Sequence, residues 1–195
     1  MLLVLGAVGG LLVVPAVVFV VRVGAGRRAN SGLVGFVCVA ASLLVVWSAS
    51  GVLHAGALSL VVVSGIAAGW IDAYERRLPD LLILPLYPAV GSLLVATGDA
   101  DLMLRAVVCA AAGIGLCGVG CATGQLGFGD LKLAGVLGLV LGWDSWGTAA
   151  VAVLATVVVG GVQAAVVLAL GRHDFPYGPA MLTGAAVALA AAPLL

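Results

Sequence analysis

Long runs of Ala, Val, Leu and Gly fill this chain, broken at short intervals by small groups of charged and turn residues. Most runs are near the ~20 residues a helix needs to cross the hydrocarbon core of a bilayer. Reading from break to break predicts eight spans, at residues 1–21, 33–50, 55–71, 81–97, 105–123, 131–143, 147–170 and 179–195. The sixth is short and the seventh is long enough to tilt. None alternates like a barrel strand, and backbone groups in lipid must be satisfied within their own segment, so helices are expected. The fold class that follows is all-α. It is a polytopic membrane bundle of about eight transmembrane helices in one domain over residues 1–195, with no soluble domain, long linker or internal repeat.

Composition strengthens this picture. The chain is 64% hydrophobic and 8% charged, where a soluble domain is roughly 45–50% apolar and about 25% charged. Net charge is zero and no basic block exists, which argues against nucleic acid as a partner. No basic residue precedes residues 1–21 and no clean cleavage site follows them, so a permanent first span is expected rather than a signal peptide. The four cysteines, Cys38, Cys109, Cys117 and Cys121, lie in apolar runs without a C-x-x-C pair and read as packing residues. With two histidines and no H-E-x-x-H, neither a metal nor a cofactor is expected. Glycine is dense in the fifth span (Gly113, Gly115, Gly118, Gly120, then Gly124), which predicts that this helix lies at the centre of the bundle.

Orientation follows from the basic residues. With the loop after the first span taken as cytoplasmic, Arg22, Arg27, Arg28, Arg76, Arg77, Lys132 and Arg172 fall inside and only Arg105 outside. That asymmetry satisfies the positive-inside rule. It places both termini outside, together with Asp99, Asp101 and Asp144.

Three charged stretches share the inner face: GWIDAYERRLPDLLILP (69–85), GQLGFGDLK (124–132) and GRHDFPYGPAML (171–182). Asp72 ends the third span and Asp130 begins the sixth. An ionisable group at such a depth is costly and should face the bundle interior or a watery cavity. Two carboxylates converging there would share one proton, the ionised one acting as general base on water and the protonated one polarising a carbonyl. Gly127 and Gly129 are expected to supply backbone freedom and room for a second chain. Asp80, after Pro79, is placed to cap the fourth span, and a lone Asp130 at a helix start is itself a natural cap. Lys132 suits a lipid phosphate, a substrate acid or an aspartate. His173 reads as a solvent-exposed loop residue. Gly124 to Gly129 imitates P-loop spacing, but Asp130 stands where its lysine belongs; Gly127-x-Gly129 lacks the third glycine of a dinucleotide fingerprint.

GFGDLKLAGVLGLVLGW resembles the G-x-G-D-x-K segment of the type IV prepilin peptidases, which are membrane aspartic proteases. DAYERRLPDLLILP resembles their other aspartate segment, and FPYGPAMLTGA their C-terminal Pro-aromatic-Gly-Pro turn. The three occur in the family's order over roughly residues 65–185. The resemblance implies that Asp72 and Asp130 are the catalytic pair of a peptidase core over about 55–195. Gly127, Gly129, Lys132, Pro79, Asp80, Pro176, Gly178 and Pro179 would then support the site or bind substrate. The implied activity is removal of short basic leaders from prepilins or pseudopilins, at the cytoplasmic face of a prokaryotic plasma membrane. Many bacterial members carry a C-x-x-C-bearing cytoplasmic domain after the first span; here that loop is RVGAGRRANSG, residues 22–32. The expectation is therefore a minimal form without N-methyltransferase, zinc or S-adenosylmethionine chemistry. Such forms resemble the enzymes of Flp/Tad-type pili and archaeal preflagellin peptidases alike. A small transporter using the same aspartates for a cation or protons, and an inactive scaffold, are the rival readings.

Overall fold

A computed structural model of the chain describes residues 2–25, 31–171 and 176–194. These residues are helical almost throughout, with no strand among them. The helices are α1 (Leu2–Ala25), α2 (Ser31–Ser48), α3 (Val52–Glu75), α4 (Asp80–Ile83), α5 (Leu86–Ala96), α6 (Ala100–Ala122), α7 (Phe128–Asp144), α8 (Trp146–Ala169) and α9 (Gly178–Ala191). A 3-10 turn, Ala192–Leu194, follows the last. Among the described residues α3, α6 and α8 are long and apolar enough to cross a membrane. Each of the eight runs read from the sequence coincides with a helix, except that the fourth is split into α4 and α5. Pro85 marks the split, because its ring removes the backbone N–H that a continuous helix would need there.

The centre of the bundle is α7, where ten of seventeen residues are buried. The expectation that the glycine-rich span 105–123 would be central is corrected: α6 has only four buried residues. Its glycines serve one side. Gly113 lets the carbonyl of Ala134 approach to 3.0 Å from where a Cβ would stand, while Gly115 faces open space. From the other side, a Cβ at Gly138 would meet Ala110 Cα at 2.5 Å, and one at Gly142 would meet Cys109. Small residues thus bring the α6 and α7 backbones together, the usual way apolar helices associate without a hydrophobic driving force between them. A smaller apolar cluster of Val17, Val21, Val34, Cys38 and Ala67 joins α1 and α2 to the flank of α3.

Arg105, the one basic residue that breaks the charge asymmetry, has a structural task. Its guanidinium donates to the carbonyls of Gly142 (2.6 Å), Trp143 (2.7 Å) and Asp144 (3.1 Å), closing the C-terminal end of α7. Helix-end carbonyls have no partner in their own helix, and a cation there also meets the negative end of the helix dipole. Nearby, buried His54 stacks on Trp143 with ring centroids 5.2 Å apart. Arg105→Ala should lower the midpoint of thermal unfolding in detergent, by the roughly 1–3 kcal/mol that unsatisfied buried acceptors cost. Arg105→Lys should recover only part, since an ammonium cannot reproduce the planar fork.

Candidate active site

Asp72 sits in the last turn of α3. The helix ends at Glu75; its cap residue Arg76 still makes the i to i−4 bond to the Asp72 carbonyl (2.8 Å) and then takes a left-handed backbone, φ 54°. This αL ending, more usual for glycine, turns the chain back over the bundle. The Asp72 side chain is 5% exposed. Its Oδ2 accepts the backbone N–H of Gly178 at 3.1 Å, across 106 residues of sequence. That reach depends on how α9 crosses α3. Leu182 of α9 lies in a notch left by Gly65 and Gly69, where a Cβ would stand 2.9 and 2.6 Å from its methyl carbons. One turn earlier on α9, Gly178 then meets Asp72.

Asp130 belongs to the first turn of α7, after the connection from α6. Gly124 adopts a positive φ of 73°, and the amides of Gln125 and Leu126 return to the Gly120 carbonyl. Leu126 folds onto Gly120, and the Cys121 thiol donates to the Gly127 carbonyl at 3.4 Å. With the turn so tied, Asp130 Oδ2 accepts the Gly127 N–H at 3.1 Å. Asp130 therefore caps α7, and it also lies within electrostatic reach of Asp72. Each carboxylate is oriented by one backbone N–H.

Three expectations are corrected here. Gly127 has an ordinary extended backbone (φ −84°, ψ 154°), and Gly129 lies in helix, so neither supplies unusual angles; Gly124 does. The space at Gly129 is not open to a second chain, because Leu78 fills it, 2.8 Å from where a Cβ would stand. Asp80 does not cap α4: Pro79 is the N-cap residue, with no side-chain bond. The Asp80 carboxylate instead pairs with Lys132 Nζ at 2.7 Å, since an ammonium one helix away outcompetes amides of a four-residue helix. Of the three partners open to Lys132, the aspartate is the one found.

Pro176 and Pro179 bracket the turn that presents Gly178. The Pro176 carbonyl is held by Gln163 Nε2 of α8 at 3.0 Å, and Pro179 opens α9, where a missing N–H costs nothing. His173 lies outside the described residues. Several neighbours escaped the sequence reading. Leu78, in the Asp72 segment, joins the other two, lying 3.5 Å from a Cβ placed at Gly178 as well as against Gly129. Tyr177 packs on Gly160, its ring 2.8 Å from where a Cβ would stand. Tyr87 of α5 donates to the Lys132 carbonyl at 2.8 Å. Leu78 and Tyr177 lie inside the quoted motifs, whereas Tyr87 lies outside all three. An apolar cleft of about 400 Å3 is lined by residues of α6, α7, α8 and α9, and by Tyr177, the neighbour of Gly178.

With this geometry in place, the comparison with protein families is direct. The Type IV leader peptidase family matches residues 58–170, more than half of the chain, and includes both aspartates. The chain belongs to that family. No curated protein and no solved structure matches it.

Proposed function

We propose that the protein is an aspartic endopeptidase that removes short basic leaders from prepilins or pilin-like proteins at the cytoplasmic membrane face. One observation carries the reading most of all. Asp72 and Asp130, 58 residues apart in sequence, lie within electrostatic reach of each other, each oriented by a backbone N–H. Membership of a leader peptidase family supports peptide-bond cleavage in general.

The chemistry requires one ionised and one protonated carboxyl, the state a close pair of like acids favours. The ionised carboxylate takes a proton from water, whose oxygen attacks the scissile carbonyl carbon. The protonated carboxyl gives its proton to the carbonyl oxygen, forming a neutral gem-diol. Collapse reforms the carbonyl as the C–N bond breaks, and the proton held by the first carboxylate passes to the departing nitrogen. The second carboxyl recovers its proton from the diol. One water is consumed; the leader leaves with a new carboxylate and the mature chain with a new amine.

A site at a helix-bundle end suits a substrate whose basic leader stays in the cytoplasm while its adjoining helix stays in lipid. The apolar cleft, whose lining includes Tyr177 next to Gly178, offers that helix an apolar surface to lie against. The short connection between α1 and α2 leaves no room there for a methyltransferase domain, so leader removal without N-methylation is the activity proposed. Co-expression with a Flp-type prepilin tests the reading. The prepilin should shorten by the mass of its leader with wild type, and a full-length prepilin beside well-expressed wild-type protein would refute it.

A further inference from the structure

Tyr87 belongs to none of the segments that define the peptidase, yet it touches the helix that bears Asp130. Its hydroxyl donates to the carbonyl of Lys132, two residues beyond the aspartate. A carbonyl in that turn of a helix has the amide four residues ahead as its own partner. The phenol bond is thus additional to the helix ladder and acts as a tether from α5. The slot for it is cut into α7 itself. A Cβ at Gly135 would stand 2.0 Å from the Tyr87 oxygen, and glycine in mid-helix weakens a helix relative to alanine. The hydroxyl, with the end of the Ile114 side chain 2.9 Å from the same point, occupies the space that this residue leaves.

Two further contacts come from the same stretch of chain. Asp80 pairs with the Lys132 ammonium, so residue 132 is held by both its side chain and its carbonyl. Leu78 fills the space at Gly129. Residues 78–87 therefore grip residues 129–135 at three points that straddle Asp130, and this grip begins only six residues after Asp72. Turning α7 by one residue would swing Asp130 about 100° away from its partner.

We propose that Tyr87 is a positioning residue, whose hydroxyl in the Gly135 slot sets the rotation of α7 and so aims Asp130 at Asp72. This rests on the peptidase reading above. The bond is strong enough to matter to geometry and too weak to decide folding. Tyr87→Phe keeps the ring and loses only the bond.

The test uses the full-length protein in lipid vesicles with a synthetic reporter: a basic leader, a prepilin cleavage segment and a 20-residue Leu/Ala helix. Tyr87→Phe should lower kcat roughly three- to tenfold, the effect of one lost neutral hydrogen bond. KM should stay at the wild-type value, and the unfolding midpoint should fall by no more than the few degrees that one such bond is worth. Gly135→Ala, which drives the hydroxyl from its slot, should lower kcat further and should do less harm in the Tyr87→Phe background than in wild type. Such non-additivity marks residues in contact. Gly91→Ala, where a Cβ meets open space, should leave kcat unchanged. Hydrogen exchange over residues 128–136 supplies a readout independent of cleavage and should quicken in Tyr87→Phe. A Tyr87→Phe protein with wild-type kcat, or one whose kcat loss is matched by loss of folded protein, overturns the proposal. Additive costs for the two substitutions overturn it as well. If exchange quickens while wild type cleaves no reporter, the tether stands and the peptidase reading fails.

Discussion

Asp72→Asn and Asp130→Asn should each abolish leader removal, with cleavage falling by at least about a thousandfold, while both variants accumulate in the membrane like wild type. The size follows from how catalytic units behave: removing one member costs nearly as much as removing all. The double variant should therefore be no slower than either single one. Folding is spared because the substitutions are isosteric. An asparagine at 72 keeps an oxygen for the Gly178 N–H, and one at 130 keeps an oxygen for the Gly127 N–H. What is lost is the base and the exchangeable acid proton. Quantitative immunoblotting of membranes alongside product analysis separates the two effects. Asp80→Asn makes the contrast. Its bond to Lys132 is an exposed pair worth about 0–1 kcal/mol, so cleavage should fall by less than about tenfold. A variant at Asp72 or Asp130 that processes normally removes that residue from the mechanism.

Gly178→Ala should be nearly as damaging to activity and almost harmless to folding. A methyl there would stand 2.7 Å from Asp72 Oδ2 and 3.3 Å from its carboxyl carbon. The carboxylate is the free end of a side chain, so it can swing aside at little cost to the fold. Swinging aside, however, stretches the bond to the Gly178 N–H and turns the acid away from Asp130. The expected result is a loss of roughly one hundredfold in kcat, in the range that small misplacements of reacting groups produce. Thermal unfolding should shift by no more than a degree or two, since side-chain movement without core loss costs little. Gly161→Ala is the matched control: it lies in α8 next to Gly160, on which Tyr177 packs, but an added Cβ meets nothing within 4 Å, so its kcat should equal that of wild type. Equal activity for the two glycine variants would mean that the Gly178 N–H does not aim Asp72.

Much of this was legible from residue order, for identifiable reasons. Hydropathy marks where a chain enters and leaves lipid, so the apolar runs became helices with boundaries displaced by a few residues. Asp72 was read as ending its span, and α3 instead continues one turn beyond it to Glu75. Asp72 and Asp130 stood out because carboxylates at a lipid boundary require a reason. What was not legible is which neighbour fills which space. Glycine shows that something approaches closely, but the density in 105–123 could not say that only one face of α6 is used, or that α7 is enclosed. Gly129 looked like room for substrate because Leu78, 51 residues away, left no mark on the local sequence. Asp80 looked like a cap because caps are local, while its true partner lies 52 residues on. Tyr87 was invisible for the same reason: its role exists only once α5 lies against Gly135.

The most direct measurement is reconstitution of purified wild-type protein and the Asp72→Asn variant in vesicles with a leader-bearing prepilin. Mass spectrometry then reads the new N-terminus. The account predicts a single cut at the junction of basic leader and apolar helix with wild type, and none with Asp72→Asn. Cleavage at that junction by Asp72→Asn, or an intact prepilin after incubation with folded wild type, would contradict it.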